Sequence, residues 1–300
     1  MKSQLKAVWI LGLAALSLFI YQDPAYAWGA GVHVMQGSLI LENLQWIGAA
    51  LAEILQSFPE DYLYGCLSAD IFIGKGSHYH HDHCHNWSVG RRILDAAGSD
   101  REVAFAYGYL SHLAADIVAH NIYVPNQLYL TSSTTRWGHI YWEVRAEEYT
   151  DRRYWRVAQD LMLRHNAEND AFVQKIVKAR LISFQTKKKL FHRAIRLGDL
   201  GKRQQADALV SRNSRWDVDG QYIDTLNRIS VGLIADFLNH PQNAVCLKYD
   251  PIGSDRLVSA KQLRRISRQI NGKSPTEGIF KIPSDIAQLA VPPQNFLPCE

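Results

Sequence analysis

No stretch of the 300 residues alternates apolar and polar positions for long enough to demand a β-sheet, and there is no internal repeat or low-complexity tract. Charge of one sign is also scarce. The formal net charge is +4, too mild to argue by itself for a nucleic-acid partner. Beyond residue 27 no apolar run is long enough to cross a bilayer, which excludes a multi-span membrane protein. Cysteine is sparse, with four residues. What remains is ordinary globular material. With 47% hydrophobic and 21% charged residues, the chain is neither disordered nor collagen-like and can bury a sizeable core.

The N-terminus differs from the rest. Lys2 and Lys6 precede an apolar run over residues 8–20, and Ala25-Tyr26-Ala27 has the small-x-small form that signal peptidase cuts. The run is short for a membrane anchor, which needs about 20 apolar residues. Residues 1–27 are therefore expected to be a signal peptide. The mature protein is expected to be secreted or periplasmic, beginning at Trp28 with a free α-amine. In that compartment Cys66, Cys84, Cys246 and Cys299 can oxidise. The expected pairing is Cys66–Cys84, restraining the segment between them, with Cys246–Cys299 tying down the tail.

The body reads as helices. Apolar positions Val34, Leu39, Leu41, Leu44, Ile47, Leu51, Ile54 and Leu55 keep an approximate 3.6-residue period and predict one helix up to Pro59. Residues 60–85, with Gly65, Gly74 and Gly76, are expected to be loop-rich. Further helices are expected at 88–97, 100–120, 136–164, 170–198, 201–212, 219–239 and 259–269, with a turn over 121–126. One helical domain over 28–240 and a Pro/Gly-containing extension over 241–300 follow from this pattern.

Seven of the twelve histidines fall between His78 and His120. His112 and Asp116 stand four apart on the long helix, so they project from one face about 40° apart. His120, a further turn along, drifts to about 80° from His112. His139 and Glu143 repeat the four-residue spacing on another helix. Imidazole–carboxylate pairs on adjacent helices are how a bundle builds a metal site in its core. A donor set of nitrogen and oxygen without thiolate points first to zinc. A surface His–Asp pair, or a polar loop for the histidine run 78–85, is the bland alternative to each piece alone.

Taken in order, Trp28-Gly-x-x-x-His33, Ser68-Ala69-Asp70-Ile71-Phe72, His85-Asn86-Trp87, His112-x-x-x-Asp116 and His139-x-x-x-Glu143 resemble the zinc-dependent phospholipase C family, whose structural cousins are the single-strand-specific zinc nucleases. The resemblance covers roughly residues 28–148 and implies an all-α, single helical domain holding up to three Zn2+ ions. It implies one zinc on Asp70, His85, His112 and Asp116, and a second on the Trp28 amine and carbonyl, His33 and the same Asp116. A third would sit on His120, His139 and Glu143. The family's last histidine on the long helix usually stands six residues after its aspartate, whereas His120 follows Asp116 by four. His81 and His83 lie close to His85 and compete for its role, with Trp87 favouring His85. Glu143 is phospholipase-like, while the spacing from Trp28 to His33 is at least as nuclease-like.

The implied activity is a secreted phosphoric diester hydrolase acting on phospholipid headgroups, with Asp70 as the catalytic group that orients or deprotonates the attacking water. A single-strand nuclease or 3'-nucleotidase and a non-catalytic zinc-binding protein are the alternatives. The expected partners are a phospholipid or other phosphodiester substrate, with nucleic acid as the alternative substrate and peripheral membrane contact, and no protein partner is implied. Phe58, Tyr62, Tyr64, Phe72, Tyr79, Trp137, Tyr141 and Trp142 are read mostly as core, with a lining role against choline or a base as the alternative. Lys187-Lys188-Lys189 and Arg264-Arg265 with Arg268 are read as solvated helix faces, with anionic lipid heads as the alternative.

Overall fold

The computed structural model describes residues 28–71, 83–131, 136–164, 166–177, 214 and 216–292. Among these the regular structure is helical and there are no strands. The expected signal peptide, residues 178–198 of the helix predicted over 170–198, the helix predicted over 201–212, Phe72, Tyr79, His78, His80, His81, Lys187-Lys188-Lys189 and Cys299 lie outside the described residues.

The central element is α5 (Asp100–Val118), and most of its residues are buried. Its start is fixed by Ser99, whose hydroxyl accepts from the Glu102 amide at 3.3 Å, while Asp100 and Glu102 place negative charge on the first turn. Around it pack α1 (Ala30–Glu42), α2 (Ala49–Ser57), α3 (Pro59–Ile71), α4 (Trp87–Asp95) and α10 (Gly220–Asn239).

The predicted single helix up to Pro59 is in fact α1, a 3-10 turn at Leu44–Trp46 and α2. The Asn43 side chain donates back to the Leu39 carbonyl at 2.9 Å and its backbone leaves the helical region, ending α1, and Gly48 caps α2. The loop expected over 60–85 is a second correction, because residues 59–71 are the buried helix α3. Pro59 opens it and Glu60 and Asp61 occupy its first turn. Gly65, read as a chain breaker, is a close-approach residue. A Cβ there would meet the Phe105 carbonyl at 2.2 Å, and one on Gly108 would meet the Tyr62 carbonyl at 2.0 Å. The two glycines let α3 and α5 cross backbone on backbone.

Past Val118 the chain continues through a π-helical turn, Ala119–Tyr123, into α6 (Val124–Thr131). The expected turn at 121–126 is thus helical, with Pro125 directly after the π-helical residues in the first turn of α6. The helix predicted over 136–164 is two, α7 (Arg136–Glu147) and α8 (Arg152–Leu163). They are separated at Asp151, whose carboxylate accepts from the Arg153 amide at 2.8 Å. α9 (Ala167–Ile176) completes this region.

Residues beyond 240 join the same core through α11 (Ser254–Asn271) and α12 (Ser284–Ala287). Asn126 and Phe280 exchange two hydrogen bonds of 2.9 Å, Trp87 Nε1 donates to the Tyr249 carbonyl, and Arg228 donates to the Val291 carbonyl. None of the described helices is long and apolar enough to cross a membrane.

Candidate metal centre

Five elements deliver side chains to one buried region. α5 supplies His112 and Asp116, and His120 follows in the π-helical turn. α1 gives His33, the C-terminal end of α3 gives Asp70, the segment before α4 gives His85, and α7 gives His139 and Glu143. All eight are buried. Their ligand atoms gather into three groups: His33, His112 and Asp116; Asp70, His85 and His112; and His120, His139 and Glu143.

Asp116 lies between the first two groups. Its Oδ1 is 3.3 Å from His33 Nε2, and its Oδ2 is 3.2 Å from His112 Nε2 and 3.4 Å from His85 Nε2. Asp70 Oδ1 stands 3.2 Å from His85 Nε2 and 3.8 Å from His112 Nε2, and the two imidazole Nε2 atoms are 3.1 Å apart. Two atoms bound tetrahedrally to one zinc at 2.0–2.1 Å stand about 3.3 Å apart. Both Asp116 oxygens, Asp70 Oδ1 and His33 Nε2 are buried without a well-directed hydrogen bond. Buried carboxylate oxygens left in that state are costly unless a cation sits among them. The residues therefore fit a shared metal ion.

In the third group His139 Nε2 is 2.8 Å from Glu143 Oε1, and the His120 and His139 rings meet edge to face at 5.2 Å. The π-turn sets the position of His120. π-turns inside helices recur at functional sites because they re-aim side chains. Here the turn brings His120 beside His139 although it follows Asp116 by four residues.

The ring orientations are fixed from behind. His112 Nδ1 pairs with the Cys66 carbonyl at 2.8 Å and His120 Nδ1 with the Pro251 carbonyl at 2.5 Å, so each ring turns its Nε2 edge inward. Neither carbonyl was visible to sequence reasoning, since a backbone acceptor has no residue signature. Gly253, with φ of +61°, brings the Pro251 segment against His120, and a Cβ there would meet the His120 carbonyl at 2.3 Å.

The electrostatics are those of a charge cluster out of water. Burial pushes the Asp70 carboxyl up to about 6, against the pull of His112 and His33. Burial also works against Asp116, but His112 and His33 hold it well below the usual carboxylate range. For His112 burial lowers the pKa, yet Asp116 and Asp70 raise it to about 9. Burial and His112 lower that of His33.

Trp28 is fully buried, its indole N–H donating to the Ala115 carbonyl at 3.2 Å and its ring stacked on Tyr123. Its side chain thus lies one residue from Asp116 along α5. The preceding Ala27 is outside the described residues. Just after it, the Gly31 amide donates to Glu147 Oε1 at 2.7 Å, and a Cβ on Gly29 would fall on that carboxylate.

His83 is buried and forms a fourth group with Cys84 and His85, on the Nδ1 side of His85. The expected Cys66–Cys84 disulfide is not formed: both are buried thiols. Cys66 packs against Gly37 of α1, whereas the Cys84 sulfur lies 3.2 Å from His85 Nδ1, so the two sulfurs serve different neighbours. Cys246 is likewise a buried thiol. Of the aromatic candidates, Tyr62, Tyr64 and Trp142 are core, while Phe58 and Tyr141 are half-buried against it.

A family model for zinc dependent phospholipase C matches residues 32–190, slightly over half of the chain. No curated protein and no solved structure matches. The matched span carries every one of the eight residues gathered above, and the chain belongs to the zinc-dependent phospholipase C family.

Proposed function

We propose, with membership of the zinc-dependent phospholipase C family as the premise, that this chain hydrolyses the phosphodiester of phospholipid headgroups after export and removal of residues 1–27. The observation that carries the reading is Asp116. Its two buried oxygens face different histidine groups at 3.2–3.4 Å, as a carboxylate shared by two cations would. Three zinc ions are proposed: one on Asp70, His85, His112 and Asp116; one on His33, Asp116 and the main-chain donors of Trp28; one on His120, His139 and Glu143.

Zinc bound there would neutralise the phosphoryl oxygens and bring a water's pKa towards ~7. The chain's own residues do the rest. Asp116, buried between the two histidine groups, supplies negative charge at the centre. Asp70, whose Oδ1 stands 3.2 Å from His85 Nε2, is the carboxylate placed to orient the attacking water or take its proton. The Cys66 and Pro251 carbonyls hold the His112 and His120 rings in one orientation, so no ring reorganises during turnover. Water adds to phosphorus, the bond from phosphorus to the glycerol oxygen breaks, and diacylglycerol and the phosphorylated headgroup leave.

The test is a direct competition of substrates. Zinc-loaded protein beginning at Trp28 is assayed on phosphatidylcholine and on single-stranded DNA. Release of phosphocholine supports the reading. Faster cleavage of DNA would make it a nuclease, and firmly held zinc with neither activity would make it a zinc-binding protein.

A further inference from the structure

Six large apolar side chains are exposed among the described residues, and five of them fall between residues 258 and 279. Four are on α11: Val258 at 48% exposure, Leu263 at 40%, Ile266 at 48% and Ile270 at 77%. Leu263, Ile266 and Ile270 are spaced three and four apart, so they form one stripe on one face. An adjoining face, about 100° round the axis, is tied to the fold. Ala260 is buried, and buried Arg264 donates to the Tyr129 and Thr131 carbonyls at the end of α6. The helix is therefore rigidly mounted with its apolar stripe facing outward.

The fifth residue lies near the start of the same helix. The Arg256 guanidinium lies over the Phe280 ring at 5.7 Å, so the 279–280 segment passes the N-terminal end of α11, where Ile279 is 41% exposed. Basic groups occupy the rest of the helix surface. Arg256, Arg265 and Arg268 are exposed and Lys261 half-buried on the helix, Lys273 is exposed just after it, and the helix carries a single acid, Asp255. A helix with an apolar stripe and Lys and Arg on its polar surface lies in a bilayer interface, with the isoleucines among acyl chains and the long basic side chains reaching lipid phosphates.

We propose that α11, with Ile279 beside it, is the surface on which this protein docks to an anionic phospholipid membrane. The occupant is chosen by charge and by area. Over residues 255–277, five basic residues that are not buried against two acids, Asp255 and Glu277, suit an anionic surface. Three or four side chains on one helix fall far short of the roughly 800 Å² per partner that a stable dimer buries. Gly253, the N-cap of α11, stands two residues after Pro251, whose carbonyl pairs with His120, so the docked helix is joined by a short segment to the candidate metal centre. The helix lies outside the span shared with the family, residues 32–190, so the surface belongs to this chain's own C-terminal part. The proposal rests on the phospholipid reading only for its purpose, because docking is measured without turnover.

The experiment is co-sedimentation of zinc-loaded full-length mature protein with vesicles of phosphatidylcholine alone and of phosphatidylcholine with 30% phosphatidylglycerol, at low and high salt. The wild type should bind the anionic vesicles preferentially and release in high salt. Ile266→Gln with Ile270→Gln should weaken binding about tenfold or more. Arg265→Gln with Arg268→Gln should weaken it about fivefold per residue and flatten the salt dependence. Both pairs should keep the wild-type melting temperature and the wild-type rate on a soluble short-chain phosphodiester. Equal binding by all variants, or no binding by the wild type, overturns the proposal. So does a fall in melting temperature on replacing the isoleucines, which would mean that the stripe is covered by the chain itself. A dimer abolished by those replacements overturns it as well. Vesicle binding without lipid hydrolysis leaves docking standing and removes the enzymatic reading, and hydrolysis without docking does the reverse.

Discussion

The two halves of the candidate metal centre are held by different means. Around Asp116 the candidate ligands come from α1, α3, α5 and the segment before α4, and α3 and α5 cross with almost no side chain between them at Gly65 and Gly108. Around His120 the ligands come from a π-turn and α7, and their backing comes from Pro251, 131 residues away in sequence. One half is rigid because backbones touch. The other is rigid because a distant loop presses on it. The first should fail only with the fold, and the second should fail by itself.

The sharpest way to break the comparison is Gly108→Ala. Its Cβ would stand 2.0 Å from the Tyr62 carbonyl, and backbone on both sides cannot yield without parting α3 from α5. Destabilisation of about 3 kcal/mol or more is expected, with loss of all bound zinc, as measured by denaturant unfolding and metal analysis. A variant as stable and as metal-rich as the wild type would show that the crossing is not tight.

Next in size is Asp116→Asn, which keeps the shape but removes the charge shared by two histidine groups. Zinc around Asp116 should fall and activity should vanish, while zinc at His120, His139 and Glu143 remains. Asp70→Asn is expected to keep its metal and lose most turnover. Equal zinc content and equal rates in the two variants would contradict the division of roles.

Gly253→Ala should be milder and local. A residue other than glycine at φ of +61° costs about 1 kcal/mol, and its Cβ would press on the His120 carbonyl. The expected outcome is selective loss of the metal at His120, His139 and Glu143. If zinc leaves all three groups together, the two halves are one cooperative unit.

The parts that were legible in the sequence are those written in spacing. His112 with Asp116 and His139 with Glu143 declare themselves by a four-residue interval, and α10 by its helical pattern over 219–239, whereas α11, expected over 259–269, starts five residues earlier, at Ser254. What was illegible depends on contacts between distant residues. Gly65 reads as a breaker because nothing local says that Phe105 lies against it. Cys66 and Cys84 read as a bond because their interval frames Asp70, yet their sulfurs face Gly37 and His85. The π-turn that aims His120 leaves no mark on composition, and the Pro251 carbonyl leaves none at all.

Two smaller effects sharpen the picture. In metal-free protein the His112 imidazole is raised to about 9 by Asp116 and Asp70 against the effect of burial, so its stabilising charge is present below about 6.5 and is lost as pH rises through 9. Chelated protein should therefore melt at lower temperature at pH 9.5 than at pH 7, and zinc-loaded protein, with that ring neutral as a ligand, should not. A flat profile after chelation would contradict the buried charge cluster. The smallest effect is chemical: burial pushes the Cys66 thiol up to about 12 and raises that of Cys246, so both should resist thiol reagents until the protein unfolds. Rapid labelling of either in the native state would contradict the packing.

The central claim is that Asp116 is shared between two zinc ions with a third held apart. Anomalous diffraction at the zinc edge, from crystals of mature protein grown with zinc, tests it most directly. The account predicts peaks on both sides of the Asp116 carboxylate and one among His120, His139 and Glu143. A map with no peak beside Asp116, or with zinc only at His83 and Cys84, would contradict it.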